Sequence, residues 1–192
     1  MTEEELLDSL KASGAVLHGH FRLSSGRHSD TFVQKFRLFE DPRLTARAGE
    51  MLAASFPEGF EVVAAPAVGA VVFGFATALA TGARSIFSER VEGQMNFRRG
   101  FDIAAGERVL VVEDVITTGG SAMEVVELVT RTGGSVVGLG ALVDRADPSR
   151  PRLSVPLRAL ITLEVKSWSA DSCPLCAANI LVDDPGSRRL GA

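Results

Sequence analysis

The stretch that decides the fold is VLVVEDVITTGGS, residues 109–121, in which an apolar run is followed by two carboxylates and a polar, glycine-rich segment. Its first four residues are all apolar, which predicts a strand covered on both faces of a sheet. Apolar residues then recur with helical spacing at Met123, Val126 and Val129. The stretch is therefore predicted to form a strand, a turn and the start of a helix.

Such a turn is suited to hold an anion, because backbone N–H groups at a helix N-terminus point outward without partners. Glycines let the main chain approach the anion closely, and hydroxyls can donate as well from Thr117, Thr118 and Ser121. The segment contains no lysine and does not fit the Walker A pattern G-x-x-x-x-G-K-[ST]. We predict a phosphate site of another kind.

Glu113 and Asp114 place negative charge directly beside this predicted phosphate site. Carboxylates accept hydrogen bonds from sugar hydroxyls and are preferred ligands of Mg²⁺. A phosphate in the turn and a ribose above the two acids together describe a ribose 5-phosphate.

The rest of the chain alternates predicted strands and helices, which favours an α/β domain with a largely parallel sheet. Helices are predicted at 2–13, 41–56 and 68–81, and further strands at 61–65, 85–88, 135–143 and 157–165. Residues 19–34 are predicted to be irregular and then extended, residues 89–107 to form a long polar loop, and the segment from 169 onward to loop over the body.

Composition excludes several functional classes. The 192 residues are 46% hydrophobic and 23% charged, with a net charge of −4, whereas a nucleic-acid-binding protein usually has a basic excess. The acidic start MTEEELLDSLKASG does not resemble a secretory signal, and no apolar run approaches the length of a membrane span. We expect a cytoplasmic protein that binds small molecules and neither nucleic acid nor membranes.

The stretch 109–121 resembles the phosphoribosyl-pyrophosphate motif of the type I phosphoribosyltransferases. Two further segments are similar to the orotate-specific members: GHFRLSSGRHS at 19–29 and LVDR at 142–145. The resemblance implies an α/β fold with a mostly parallel central sheet flanked by helices. It also implies one domain over 1–192, with a core at about 41–150 and a hood from about 14–40 and 151–192.

The resemblance also assigns roles to individual residues. It implies that phosphoribosyl pyrophosphate is bound by Glu113, Asp114, Val115, Ile116, Thr117, Thr118, Gly119, Gly120 and Ser121. Orotate contacts are expected from Thr117, Arg145, Phe32 and Val33, because a planar guanidinium can bind a carboxylate or carbonyls in a forked way. Glu113 and Asp114 would hold Mg²⁺, partly through substrate and water.

The implied reaction transfers ribose 5-phosphate to orotate and releases pyrophosphate, with Asp114, Arg90, Arg98 and Arg99 as the expected catalytic residues. In this family the loop 89–100 would serve the neighbouring subunit, so a homodimer is implied. The chain departs from better-known members in having Ser24 in place of a lysine and Val68-Gly69 in place of a tyrosine–lysine pair. Its loop also lacks the usual lysines and histidine.

Several alternatives stay open at this point. Transfer to a different base would not need Arg145, and a regulator that senses the donor would bind it without forming product. His18, His20 and His28 are expected to be loop histidines without a metal. Cys173 and Cys176 form a C-x-x-C pair, which fits half of a zinc site, a redox pair or ordinary packing.

Overall fold

The computed structural model describes residues 1–23, 25–146 and 150–185. Its strands, in chain order, are β1 (Val16–Arg22), β2 (His28–Val33), β3 (Val62–Pro66), β4 (Arg84–Val91), β5 (Gln94–Phe97), β6 (Arg108–Ile116), β7 (Ser135–Asp144), β8 (Leu157–Thr162) and β9 (Ser167–Trp168). Its helices are α1 (Glu3–Ala12), α2 (Phe36–Phe39), α3 (Pro42–Ala54), α4 (Val71–Leu79), α5 (Gly120–Arg131) and α6 (Pro174–Ala177), and a short 3₁₀ turn covers Ala170–Ser172.

The main sheet has the strand order β5-β4-β3-β6-β7-β8. Every neighbouring pair in it is parallel except β4 with β5, which is antiparallel. The strand predicted from 109–112 is β6, which lies near the centre of the sheet. Parallel strands direct their carboxyl ends to one edge, where ligands bind in open α/β sheets.

Both faces of β6 are covered, as its continuous apolar run predicts. Leu110 and Val112 point into a core formed with α1, α3 and α4, whereas Val109 and Val111 point into a second core beneath α5. Helix α3 begins as expected, because the Asp41 carboxylate accepts hydrogen bonds from the first N–H groups of the helix.

A second, three-stranded sheet has the order β1-β2-β9 and forms the hood over the carboxyl edge of the main sheet. For residues 19–34, the predicted extended part is confirmed by β2, but the irregular start is wrong, since β1 continues to Arg22 and pairs antiparallel with β2 around a bulge between His18 and Phe21. The hood boundary at 151 is also wrong, because β8 pairs with β7 in the main sheet. The alternating apolar residues of 157–163 fit a buried strand beside β7, and within the predicted hood segment 151–192 it is the described part after β8 that reaches the hood, through β9.

The predicted loop 89–107 is wrong over its first half. Strand β4 continues to Val91 and returns as β5 through a two-residue turn, in which Glu92 and Gly93 both have positive φ, 49° and 84°. Positive φ at both turn positions suits a tight hairpin. The sequence did not predict the hairpin because Met95 is the single buried residue of β5, so β5 has no alternating apolar pattern.

Among the described residues, no helix combines the length and the apolar character that crossing a bilayer requires.

Candidate active site

A cavity of about 860 Å³ lies between the carboxyl edge of the main sheet and the hood. Its walls come from the segments that follow β3, β6 and β7, from β2 and the segment after it, and from Asp184 and Pro185 of the C-terminal segment. Its volume is typical of a small-molecule site.

The floor of the cavity is the turn between β6 and α5. Thr117, Thr118 and Ser121 line the cavity, and Gly119 caps the helix in a left-handed conformation with φ of 79°. The strand, turn and helix expected from the sequence are therefore confirmed, and the helix dipole of α5 makes this end favourable for an anion. The side chain of Ile116 is buried in the second core, so only its main chain faces the turn.

Glu113 and Asp114 lie within β6 rather than after it, because β6 pairs with β7 as far as Ile116. Successive side chains of a strand point to opposite faces, so the two carboxylates leave the strand in different directions. Both still line the cavity. Asp114 is the more buried, with 4% of its surface exposed, whereas Glu113 is half-buried.

The Asp114 carboxylate contacts two donor groups and packs against the main chain of the segment after β3. Its Oδ1 accepts a hydrogen bond from the N–H of Val115 at 2.6 Å, and its Oδ2 lies 3.1 Å from Nζ of Lys35. A Cβ placed on Gly69 would lie 2.1 Å from the same Oδ2. The segment after β3 must therefore have glycine at position 69 to pass this carboxylate.

Lys35 is a cavity residue to which the sequence analysis assigned no role. It follows β2 in the hood and reaches the buried acid of the main sheet, and 24% of its side chain is exposed. No local pattern shows this, since lysine after a strand is ordinary. Only the packing of the hood on the sheet brings the two charges together.

The expected orotate contacts meet in this cavity. Phe32 and Val33 line it from β2, and Arg145 lines it from the end of β7. The main-chain N–H of Arg145 donates to the carbonyl of Ile116 at 2.9 Å, which fixes the main chain of Arg145 beside the turn between β6 and α5.

The three hairpin arginines lie in different environments. Arg90 lines the cavity and donates to the Glu124 carboxylate of α5 at 2.9 Å and to the carbonyl of Gly93. The hydrogen bond to Glu124 raises the pKa of Arg90. Arg98 and Arg99 do not line this cavity, although both belong to the described residues.

Arg99 faces back onto β4 instead. It forms an ion pair with Glu89 at 2.8 Å, and its guanidinium carbon lies 5.9 Å from the centre of the Phe87 ring. The hydrogen bond from Arg99 lowers the pKa of Glu89. Arg98 borders a shallow cleft on the outer side of the hairpin.

The chain is similar to known proteins over nearly its whole length. A family model for the phosphoribosyl transferase domain matches residues 42–173. Orotate phosphoribosyltransferase of Pelotomaculum thermopropionicum is 46% identical over 191 residues, covering 99% of this chain and 100% of that protein. The protein of the same name from Chlorobium phaeobacteroides is 42% identical over 189 residues, covering 98% of this chain and 97% of that protein. The chain belongs to the orotate phosphoribosyltransferase family.

A solved structure shows the fold of this family. Orotate phosphoribosyltransferase of Mycobacterium tuberculosis, in complex with 5-phospho-α-D-ribosyl 1-diphosphate, has a TM-score of 0.65 and 28% identity to this chain. The match covers 84% of this chain and 96% of that one. The resemblance carried by 109–121 and the expected fold class are therefore confirmed.

The cavity is also lined by positively charged residues of the hood to which the sequence analysis assigned no role. Arg22 forms an ion pair with Asp184 at 2.8 Å, and Arg27 donates to the hydroxyl and carbonyl of Ser167. Together with the cations described above, these residues surround Glu113, Asp114 and Asp184 with positive charge. Among the described residues, the cations that line the cavity are Arg22, Arg27, Lys35, Arg90 and Arg145. Such a lining favours polyanionic ligands. Ser24, which replaces a lysine, lies outside the described residues.

Proposed function

We propose that this chain transfers ribose 5-phosphate from phosphoribosyl pyrophosphate to orotate. The products would be orotidine 5′-monophosphate and pyrophosphate, in de novo pyrimidine biosynthesis in the cytoplasm. One observation carries the proposal: the anion-binding turn, the two acids and Arg145 all face a single cavity. A phosphate, a ribose and a planar acidic base each meet matching chemistry there.

The donor would lie with its 5-phosphate on the turn 117–121. The main-chain N–H groups of Gly119, Gly120 and Ser121 and the hydroxyls of Thr117 and Thr118 are the donors for this phosphate. The main chain at Val115 and Ile116 leads into the same turn. Glu113 and Asp114 would accept hydrogen bonds from the ribose hydroxyls.

Orotate would bind on the opposite side of the ribose. The Arg145 guanidinium provides paired donors for the carboxylate or carbonyls of the base. Thr117 lies between the base and the phosphate, and Phe32 and Val33 close over the ring from the hood.

The reaction would be a displacement at C1′: a ring nitrogen of orotate forms the new C–N bond, the C1′–O bond to pyrophosphate breaks, and the proton of that nitrogen goes to solvent. No protein nucleophile is needed, so the rate gain comes from positioning and charge. Negative charge grows on pyrophosphate as it leaves, and Arg90, with Arg98 and Arg99 reaching from a neighbouring subunit, would stabilise it. The hairpin would also exclude water, which otherwise hydrolyses the donor.

Mg²⁺ fits the donor set of the cavity. Glu113 and Asp114 offer the hard carboxylate oxygens that Mg²⁺ prefers, and both line the space where the donor would bind. Glu113 and Asp114 would hold the ion partly through substrate and water. When bound, Mg²⁺ would supply positive charge that offsets the negative charge growing on the leaving pyrophosphate.

A homodimer is supported by an apolar stripe on α4. Val72, Phe75 and Leu79 lie on α4 with helical spacing, and Val68 lies in the turn just before the helix. The exposed fractions of Val68, Val72, Phe75 and Leu79 are 77%, 45%, 58% and 65%. A contiguous apolar surface of this kind commonly marks a protein interface. Because Val68 also lines the cavity, a second copy seated on the stripe would lie beside the cavity entrance.

The test is an absorbance assay of orotate consumption with phosphoribosyl pyrophosphate, with and without Mg²⁺, and with uracil, hypoxanthine and adenine in parallel. Turnover of orotate alone, dependent on Mg²⁺, is the expected result. Turnover of a different base would reject orotate as the substrate. Donor binding without turnover of any base would reject the enzymatic proposal in favour of a sensor.

The role of Arg145 is tested within the same assay. Arg145→Ala should raise the KM for orotate strongly while leaving the affinity for phosphoribosyl pyrophosphate nearly unchanged, because the donor contacts the turn and the acids. Equal losses in both would contradict its assignment to the base.

A further inference from the structure

Outside the catalytic cavity, four side chains from distant parts of the chain meet in the hood. His20 and His28 lie on β1 and β2, and Cys173 and Cys176 lie at the start of α6. One ligand atom from each residue can be chosen so that all four lie within 4.8 Å of one another. We propose that these residues bind a zinc ion that fastens the C-terminal segment to the hood.

The distances among these atoms approach those of a tetrahedral site. Nε2 of His20 lies 3.6 Å from Sγ of Cys173 and 3.7 Å from Sγ of Cys176, and Nδ1 of His28 lies 3.2 Å from Sγ of Cys176. Zinc bonds of about 2.1 Å to nitrogen and 2.3 Å to sulfur give tetrahedral edges of about 3.4–3.8 Å. The two ring nitrogens, 2.8 Å apart, need to separate by only about half an ångström to reach this range.

The orientation of His20 is also fixed in the way a metal ligand requires. Nδ1 of His20 lies 2.7 Å from the carbonyl oxygen of Ile180. A carbonyl can only accept, so Nδ1 carries the proton and Nε2 directs its lone pair at the other three ligands. A hydrogen bond to the second ring nitrogen is the usual way in which proteins orient a zinc-bound histidine.

The donor set selects the kind of metal and its role. Two thiolates and two imidazoles are the ligands of structural zinc sites, and soft sulfur ligands disfavour Mg²⁺. His20, His28 and Cys173 are at most 7% exposed. Two thiolates neutralise the double charge of the ion, so such a site can be buried. Four protein ligands leave no open position for a substrate, which indicates a structural ion.

The local structure explains how the residues come together. The β1 bulge between His18 and Phe21 interrupts the strand register around His20. The C-terminal segment then pairs with the same strand, since the N–H of Asp183 donates to the carbonyl of His20 at 2.7 Å. The next residue, Asp184, lines the catalytic cavity. The ion would thereby hold one wall of the cavity in place.

Metal content tests the proposal directly and does not depend on the reaction. Tag-free protein, purified without chelator and with reduced thiols, is expected to contain about one zinc per chain when its metal content is measured by inductively coupled plasma mass spectrometry. After removal of zinc, Co²⁺ should give the visible bands of a tetrahedral site and near-ultraviolet thiolate charge transfer. The Tm of the stripped protein should fall by about 10 °C and recover with zinc.

Variants separate this site from adventitious binding. Cys173→Ser and Cys176→Ser should each lose most of the zinc, while His18→Ala should retain it, because His18 is an exposed histidine on β1 outside the cluster. Wild-type protein that contains no zinc and takes none from a chromophoric chelator would overturn the proposal. So would zinc that persists in both serine variants, or a Cys173–Cys176 disulfide found by mass spectrometry in protein prepared with reduced thiols.

Discussion

At the scale of single residues, the Asp114 carboxylate packs so closely against Gly69 that it leaves no room for a side chain at position 69. Gly69→Ala would place a Cβ 2.1 Å from Oδ2 of Asp114, so the carboxylate must move. The N–H of Val115 holds the other oxygen of that carboxylate. Since small displacements of catalytic groups are costly, we expect kcat/KM for phosphoribosyl pyrophosphate to fall about 100-fold. Steady-state kinetics measures this.

Gly82→Ala provides the matched control for that variant. Gly82 has φ of 72°, and a Cβ added there would meet no atom within 4 Å, so its substitution costs backbone strain alone. It should lose about 1 kcal/mol of stability and leave kcat/KM unchanged. Equal kinetic losses in the two variants would show that the Gly69 effect is a general consequence of destabilisation.

Lys35 and Asp114 form the ion pair that joins the hood to the main sheet, 3.1 Å apart. Lys35→Met leaves a carboxylate that is 6% exposed without this cation, so we expect a loss of about 2 kcal/mol, or about 5 °C in Tm. Added Mg²⁺ should restore most of that loss by taking the place of the ammonium group. Differential scanning fluorimetry with a Mg²⁺ series measures both effects.

Lys11→Met is the control for that series. Lys11 pairs with Asp8 on α1, where 58% and 70% of the two side chains are exposed. Surface pairs contribute little, so this variant should behave as wild type with or without Mg²⁺. A Lys35→Met variant with the same Tm and the same response to Mg²⁺ as Lys11→Met would contradict the proposed exchange of cations.

Sequence reasoning succeeded at single residues where the signal was local. The phosphate turn is encoded in one continuous stretch, 109–121, and strand, turn and helix follow from its pattern. The role of Lys35 was left unassigned, and the histidines were not joined to the Cys173–Cys176 pair, for the opposite reason. His28 and Cys176 are 148 positions apart, and only the packing of the C-terminal segment on β1 and β2 makes them neighbours.

At the scale of elements, the hairpin β4–β5 is tied to α5 by Arg90 and Glu124, whose charged atoms are 2.8 Å apart. The proposed contact of Arg90 with pyrophosphate requires this pair to separate. Glu124→Gln should therefore lower the KM for phosphoribosyl pyrophosphate about threefold, in line with the small energy of a half-exposed ion pair. It should also accelerate hydrogen exchange of the amides in β5.

Glu127→Gln is the control for the hairpin prediction. Glu127 is an exposed acid on the same helix, and it contacts Arg90 in no described interaction. Its substitution therefore removes the same charge from α5 without affecting the ion pair of Arg90. Equal changes of KM in both variants would assign the effect to net charge near the turn and not to release of the hairpin.

The elements that sequence patterns predicted well are those with a continuous or periodic apolar signal. Strand β6 and helix α5 belong to this class, and their positions are close to expectation. Strand β5 was missed because one buried residue, Met95, gives no period. Strand β8 was recognised as a strand but assigned to the hood, since sequence patterns do not state which sheet a strand joins.

At the scale of the whole molecule, each site is expected to draw on two chains. The groups proposed to hold substrate, among them Glu113, Asp114 and Arg145, line one cavity within the chain. Arg98 and Arg99 do not line that cavity, and the proposed dimer would bring them to the cavity of the neighbour. This arrangement makes a prediction that no single-chain mechanism shares.

Two inactive variants should restore activity when their subunits mix. In a dimer of Arg145→Ala with the double variant Arg98→Ala/Arg99→Ala, one site has an intact cavity and receives an intact hairpin from its partner. Random exchange makes half of all dimers mixed, so about one quarter of wild-type activity should return. A mixture of Arg145→Ala with Asp114→Ala should stay inactive, because both residues belong to the same cavity. If the first mixture also stays inactive after exchange is verified by native mass spectrometry, the hairpin arginines do not act across the dimer.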